Sequence, residues 1–177
     1  MNKRTLIAAA VAASTLMPFG AAQALTAGPA NFNVTATIAN FCTISAANVA
    51  FGSVNAGVAA TNSASSVSLT CNKGAAVTAI ALNNGTNPTG TQKRMKDPVS
   101  GDFLSYSIDA PTGAALQTCP AAGTSEWTAA NTIVATPLFT TTGGLKLITL
   151  CASIPAGQFP TAGTGYTDTV QVTATYN

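Results

Sequence analysis

The sequence predicts an all-β protein, and within that class an antiparallel sandwich of short strands. Apolar and polar residues alternate with a period of two in many segments, which is the pattern of a half-buried strand. Clusters of Gly, Asn, Pro and Ser separate these segments, most clearly at Asn83–Pro88 and Gly143-Gly144, and they predict frequent turns. No segment carries a capped helical stripe. No Pro-rich linker divides the 177 residues, so we expect one domain.

Eight strands are expected from this alternation and from the turns that bound it. In chain order they are Ala30–Ala39, Thr43–Phe51, Ala64–Cys71, Val77–Leu82, Phe103–Ile108, Thr132–Phe139, Leu145–Ala152 and Tyr166–Tyr176.

The first and last of these strands alternate most regularly. One face of the first carries Phe32, Val34, Ala36 and Ile38. One face of the last carries Tyr166, Val170, Val172, Ala174 and Tyr176, while Asp168 occupies a position where the alternation predicts an apolar residue. Periodicity alone favours the interpretation that these two segments are the first and last strands of a closed sandwich. Each would then turn a hydroxyl-rich face toward water.

Residues 1–24 have the pattern of a secretory signal peptide. Asn2-Lys3-Arg4 is a short basic segment, Leu6–Met17 is an apolar run rich in Ala, and Ala22-Gln23-Ala24 is a small-x-small cleavage site. A membrane anchor is the alternative, but the apolar run is too short to span a bilayer. We expect cleavage after Ala24 and secretion of the mature chain.

Charge and composition exclude several classes of function. Without Lys3 and Arg4 the seven basic residues become five, which equals the number of Asp and Glu, so the exported chain has no net charge. A neutral chain does not attract nucleic acid and permits self-association. The sequence contains no His, which excludes Ser-His-Asp triads and His-ligated metals. We therefore expect no enzyme activity, no cofactor, no metal and no small-molecule substrate.

A set of short segments, taken in order, resembles a known family. The segments are Phe32–Ile38, Cys42-Thr43-Ile44, Phe51-Gly52, Val67–Cys71, Gly90–Met95, Leu104-Ser105-Tyr106, Ile154–Gln158 and Tyr166–Val170. Together they resemble the spore coat protein U family, whose members include the pilus subunits of archaic chaperone–usher systems. The resemblance covers nearly all of residues 30–177.

The resemblance implies an incomplete immunoglobulin-like antiparallel β-sandwich that is completed by a donor strand. In such subunits the last strand is missing, and the N-terminal segment of a neighbour fills the open groove by β-strand addition. A periplasmic chaperone fills the groove before assembly at an outer-membrane usher. By this resemblance, residues 25–40 hold the donor segment and residues 41–177 form the pilin domain. Val170, Val172, Ala174 and Tyr176 belong to the strand that borders the groove, and Phe32, Val34, Ala36 and Ile38 are the donor residues.

The function implied is that of a structural subunit of a cell-surface pilus, joined to identical or related pilins and serving adhesion and biofilm formation. The alternative is a free-standing secreted sandwich that binds carbohydrate or another surface, with its first strand folded back on itself. An enzyme would need a cleft built on carboxylates alone, and no such constellation is evident.

The four cysteines allow three pairings. The resemblance implies the pair Cys42–Cys71, and Cys119–Cys151 is then the pair that remains. The family pattern needs only the first pair, and the stretch from Asp109 to Glu126 does not match the family. This stretch is expected to be a long loop pinned by the extra disulfide.

The remaining polar and aromatic residues are assigned structural roles. The basic cluster Lys93-Arg94-x-Lys96 is expected to be a solvated turn or strand end. Asp97, Asp102 and Asp109 are expected to be surface acids, and Trp127 is expected to cover the core rather than to stack on a sugar.

Overall fold

The computed structural model describes residues 25–163 and 165–177, so the predicted signal peptide lies outside the described residues. The chain divides into two units, residues 1–37 and residues 38–177. In the first unit, residues 25–37 form no helix or strand, and all of them are exposed. The predicted strand Ala30–Ala39 is therefore not formed in this structure. A segment without a neighbouring strand has no hydrogen-bond partners for its backbone N–H and C=O groups. Alternation of apolar and polar residues alone therefore does not make it a strand.

Apart from one short helix, the regular elements of the second unit are all strands. The described elements are β1 (Cys42–Ala46), β2 (Ala60–Asn62), β3 (Ser66–Cys71), β4 (Val77–Leu82), β5 (Lys93–Lys96), β6 (Phe103–Asp109), α1 (Thr136–Phe139), β7 (Gly144–Thr149), β8 (Cys151–Ile154) and β9 (Val172–Tyr176).

The strands form three antiparallel sheets around one core. Their orders are β1-β3-β7, β2-β8-β6-β5 and β4-β9. Alternate residues of the central strands point inward and are fully or nearly fully buried, among them Val67, Leu69, Ile80, Leu82, Ile108, Ile148 and Ile154. No helix of residues 25–163 and 165–177 has the length and apolar character needed to cross a membrane.

Several predicted strands have different boundaries in the structure. β4 has the predicted bounds, whereas the predicted strand Leu145–Ala152 is two strands. At the break, the Leu150 amide donates to the Ser65 carbonyl. On either side of it, β7 pairs with β3, and β8 pairs with β2 and β6. The predicted strand Tyr166–Tyr176 forms a ladder only from Val172 onward.

The predicted strand Thr132–Phe139 is wrong over its second half. Ile133 makes an isolated bridge to Ile80 of β4, but residues 136–139 form the short helix α1. Pro137 stands in the first turn of this helix. Its fixed φ suits a helical start, and it lacks the N–H that a strand ladder would need.

The two disulfides join the expected partners, Cys42 to Cys71 and Cys119 to Cys151. Cys42 and Cys71 lie directly opposite each other in the β1–β3 register, so the first bond holds β1 against the rest of its sheet at one end. The second bond joins the long loop after β6 to the first residue of β8.

Asp109 organises that loop from inside, which corrects its assignment to the surface. Its side chain is almost completely buried, and its two carboxylate oxygens accept hydrogen bonds from the amides of Gly123 (2.7 Å) and Ser125 (2.9 Å). Asp97 is also buried, and it accepts hydrogen bonds from the amide (2.9 Å) and the hydroxyl (2.8 Å) of Ser100. Both acids therefore hold loops, and Asp102 is half-buried.

Lys93 is the main departure from the predicted basic turn. It begins β5 and is fully buried, with Nζ 3.1 Å from Oε1 of Glu126 and 3.0 Å from the carbonyl oxygen of Trp127. Trp127 is itself fully buried, and its indole Nε1 donates to the carbonyl of Ile80 at 2.8 Å. The lysine thus ties β5 to the end of the loop, while Trp127 connects that loop end to β4.

Replacing Lys93 by methionine should destabilise the protein strongly. The Lys93→Met variant leaves the Trp127 carbonyl without its buried donor and Glu126 without its cation. We expect a loss of about 3 kcal/mol in the free energy of unfolding, at the low end for breaking a buried pair because Glu126 keeps contact with water. Urea denaturation measures the loss. The matched control Lys73→Met removes an exposed lysine and should change stability by less than about 0.5 kcal/mol. Equal effects of the two substitutions would contradict the assigned role of Lys93.

Candidate functional site

The most distinctive surface feature of residues 38–177 is a groove over the core. Two chain segments form its walls: Ala46–Val49 with Phe51, which follow β1, and Tyr166–Val170 with Val172, which lead into β9. The groove encloses about 520 Å³. Its floor consists of core side chains from several strands: Val67, Leu82, Met95, Tyr106, Ile108 and Leu150.

The strands that lead into the two walls each have one unpaired edge among the described residues. β1 pairs with β3 on one side and is the outer strand of its sheet, while β9 pairs only with β4. β1 and β9 approach each other without forming a hydrogen-bonded ladder. Their free N–H and C=O groups are a template for one more strand.

A second hollow of about 660 Å³ continues the groove. It shares Val49, Phe51, Met95 and Tyr166 with the first hollow. Beyond these residues it is lined by Ala50, residues 52–58, Pro155, Gln158 and residues 160–163, with Leu104 and Ile154 at its floor. The two hollows therefore adjoin through the four residues that they share.

Within the wall that leads into β9, the carboxylate of Asp168 accepts several hydrogen bonds. Its Oδ1 accepts hydrogen bonds from the amides of Thr86 and Thr169, both at 2.8 Å, and from the hydroxyl of Thr86. Its Oδ2 accepts one from the hydroxyl of Tyr106 at 2.7 Å. Asp168 thereby connects the groove wall to β6 and to the loop after β4.

These contacts perturb the titration of both acidic groups. Burial acts to raise the pKa of Asp168, but the hydrogen bonds from Thr86, Tyr106 and Thr169 outweigh it and lower that pKa below its usual value. Burial also raises the pKa of Tyr106 far above its usual value, and the hydrogen bond to Asp168 adds to the shift. At neutral pH, Asp168 is therefore ionised and Tyr106 is protonated, which are the states that the hydrogen bond requires.

The donor residues expected from the sequence are presented to solvent. Phe32 and Val34 are each 84% exposed and Ile38 is 83% exposed, and Ala36 is exposed as well. Three large apolar side chains within seven residues are rarely left in water unless another surface covers them. Their spacing of two is that of one face of a strand.

Only two of the four residues expected to border the groove line it in the structure. Val170 and Val172 line it, and the half-buried Ala174 packs on the core without lining it. Tyr176 lies farther along β9, opposite Val77 of β4. The opposite wall and Tyr106 were not predicted as groove residues. Asp168 gave a signal in the sequence, because a carboxylate breaks the apolar alternation of Tyr166, Val170 and Val172.

Gly85 should not tolerate a side chain, because it packs against Asp168. A Cβ built on Gly85 overlaps the Asp168 carboxylate, and the backbone there has φ +82°. We expect Gly85→Ala to lower the free energy of unfolding by about 2–4 kcal/mol, combining left-handed strain with loss of hydrogen bonds. The control Gly90→Ala, at φ +60° with no atom within 4 Å, should lose only the strain, about 1–2 kcal/mol. Urea denaturation of both variants tests the difference, and equal losses would contradict it.

Acid should destabilise the fold below about pH 4. Hydrogen bonds from Ser100 lower the pKa of Asp97, and those from Thr161 lower the pKa of Asp102, in addition to the lowered pKa of Asp168. Because each folded pKa lies below the unfolded value of about 3.9, the stabilisation is complete above that pH and is lost as pH falls through the folded pKa. Urea denaturation between pH 7 and pH 2 measures this loss. The free energy of unfolding of Asp168→Asn should fall less steeply below pH 4 than that of the wild type. An equal dependence on pH would contradict the role of Asp168.

Comparison with known proteins identifies the family and supports the fold. A family model described as the Spore Coat Protein U domain matches residues 29–173. No curated protein matches the chain. A chain in the crystal structure of the CsuC–CsuE chaperone–tip adhesion subunit pre-assembly complex, from the archaic chaperone–usher Csu pili of Acinetobacter baumannii, matches with a TM-score of 0.52 and 23% sequence identity.

The structural match covers 78% of this chain and 40% of the matched chain, so this chain spans less than half of that protein's length. At this identity the likeness shows the fold, and it agrees with the all-β, antiparallel, immunoglobulin-like sandwich predicted from the sequence. The family model spans most of the chain, including β1 to β8 and the first two residues of β9. The chain belongs to the Spore Coat Protein U domain family.

Proposed function

We propose that this protein is a structural subunit of a secreted surface pilus, assembled by a chaperone–usher pathway through donor-strand complementation. In this proposal residues 1–24 are a signal peptide, residues 25–40 are the donor segment, and residues 41–177 are the acceptor domain. The subunit is exported through the periplasm and becomes part of a fibre on the cell surface. It has no catalytic role and needs no cofactor.

One observation carries the proposal: the same chain has a groove over its core and an unpaired segment with the apolar alternation of a strand. The floor of the groove is formed by core side chains, such as those of Ile108 and Leu150. Residues 32–38 present apolar side chains at every second position and have no ladder partner. A neighbour's segment laid in the groove would supply backbone hydrogen bonds to the free edges and apolar side chains to the floor.

Burial of the donor side chains gives the assembly its driving force. Transfer of Phe32, Val34 and Ile38 from water into the groove contributes about 1.5–3 kcal/mol for each side chain that becomes fully buried. The exported chain carries no net charge by the sequence, so charge repulsion between subunits is small. These terms support a fibre of identical or related pilins.

The partners proposed before assembly are a periplasmic chaperone and an outer-membrane usher. The structural neighbour comes from a complex of a chaperone with a tip adhesion subunit, which supports a chaperone partner by analogy. Adhesion and biofilm formation are the roles proposed for the finished fibre.

The basic side chains of β5 form no broad charged surface, since Lys93 is buried and Arg94 lies over the Phe103 ring at 4.1 Å from its centroid.

The rival function is a free-standing secreted sandwich that binds carbohydrate or another surface, with residues 30–39 folded back into the groove of the same chain. The two functions differ in the behaviour of the purified mature chain. A self-complemented protein stays monomeric without a chaperone, whereas a pilin polymerises or requires a chaperone for recovery. Periplasmic co-expression with a candidate chaperone, followed by gel analysis of unheated samples, distinguishes a ladder of subunits from a single band.

Removal of residues 25–39 should abolish fibre formation and leave an acceptor that binds a separate strand. A peptide of residues 30–40 should bind the shortened protein and raise its melting temperature by mass action. Val34→Asp in the peptide should remove most of this stabilisation, because it places a charge in an apolar groove. The matched control Asn33→Asp should have little effect, since the alternation turns its side chain to water.

Two outcomes would overturn the proposal. Fibres formed by the shortened protein would show that residues 25–39 are not the donor. Failure of the shortened protein to fold with either peptide or chaperone would show that the first strand is an internal part of a closed sandwich.

A further inference from the structure

We propose that Asp168 is a positioning residue for the groove: its carboxylate holds the wall leading into β9 at the distance that an incoming strand requires. This inference rests on the proposed function, and it names the group that sets the shape of the acceptor. Asp168 makes this contribution through Thr86, Tyr106 and Thr169, and it is not itself a contact for the incoming backbone.

The wall has few other attachments along this stretch. Thr167 exchanges backbone hydrogen bonds with Lys96 of β5, at 2.9 and 3.1 Å. Gln171 exchanges hydrogen bonds with Asn83, one of them to the side chain of Asn83. The continuous ladder with β4 begins only at Val172. Between these attachments, Val170 packs against the core, and Asp168 is the residue whose side chain hydrogen-bonds to other parts of the sandwich.

The hydrogen bonds of Asp168 lead in two directions, and this fixes the wall in position. Through Oδ2 it is held to Tyr106 of β6, whose ring forms part of the groove floor. Through Oδ1 it is held to Thr86, in the loop that follows β4. A wall tied to the floor on one side and to a neighbouring loop on the other cannot easily collapse inward or swing outward.

The surroundings are shaped to receive the carboxylate. At Gly85 the chain passes so close to Asp168 that a Cβ would overlap it, and the backbone there is left-handed, which favours glycine. An apolar residue at position 168 would fit the alternation of the strand but would leave the Tyr106 hydroxyl and the Thr86 amide without this acceptor. Even partial burial of a carboxylate is unfavourable unless it is hydrogen-bonded, and both oxygens of Asp168 accept hydrogen bonds, which points to a positional role.

Asp109 provides a matched control. It too is a carboxylate that accepts two backbone hydrogen bonds, from Gly123 and Ser125. Unlike the half-buried Asp168, it is fully buried, holds the long loop and does not line the groove. Loss of either carboxylate should lower stability. Only loss of Asp168 should alter the fit of a strand in the groove.

The test measures strand binding and stability separately. A fluorescein-labelled peptide of residues 30–40 is titrated into freshly refolded, submicromolar mature chain at 10 °C, where native circular dichroism verifies that each variant is folded. We expect Asp168→Ala to raise the Kd of the peptide about tenfold, as loss of one to two positioning hydrogen bonds implies. We expect Asp109→Ala to change that Kd by less than about twofold while lowering the melting temperature comparably.

The variant Tyr106→Phe tests the same inference if Asp168→Ala does not fold. This variant retains the Thr86 and Thr169 hydrogen bonds and loses only the bond to β6, so a rise of about threefold in Kd is expected. An unchanged peptide Kd in folded Asp168→Ala or Tyr106→Phe would overturn the inference and leave the proposed function intact. An equal rise in Asp109→Ala would also overturn it, because the effect would then follow general stability. No peptide binding by the wild type would overturn the proposed function and this inference with it.

Discussion

Two strands with unpaired edges beside a groove over the core are the constraint on which the rest of this sandwich depends. β1 and β9 each use one edge for a ladder, and the segments that adjoin them form the walls of the groove. Backbone groups left without partners along such edges are unfavourable. The fold must therefore hold the two walls apart without the strand that would join them.

Covalent and polar attachments do this at the two sides of the groove. Cys42–Cys71 fixes one end of β1 on β3, which is the only strand that pairs with β1 in the described part of the chain. On the other side, the carboxylate of Asp168 binds the wall to Tyr106 and to the loop after β4. An acceptor needs this rigidity, because a preformed groove loses less conformational entropy when a strand is added.

Buried charges have a similar structural role elsewhere in the molecule. Only 7% of the residues are charged, yet Lys93, Asp97 and Asp109 are buried. Each has hydrogen-bond partners from a loop, and each fastens that loop to the edge or end of a strand. The long segment between Asp109 and Glu126 is thereby held by a carboxylate, an ion pair and the Cys119–Cys151 disulfide, although it contains no described helix or ladder strand. Ordered loops of this kind rely on specific polar contacts because they bury little apolar surface.

The sequence alone was enough to predict the all-β class, the family, the strand β4 and the apolar alternation of Phe32, Val34, Ala36 and Ile38, because these depend on local periodicity and on short motifs. It misplaced the elements whose state depends on distant partners. The residues of β5 were predicted to form a charged turn, because the sequence does not show that Glu126 and Trp127 provide hydrogen-bond partners for a buried Lys93. The segment Leu145–Ala152 was predicted as one strand from its alternation. In the structure it is two strands, because β7 and β8 pair with different neighbours. The groove is likewise a tertiary feature: its walls are separated by more than a hundred residues, and no local pattern shows which edges stay unpaired.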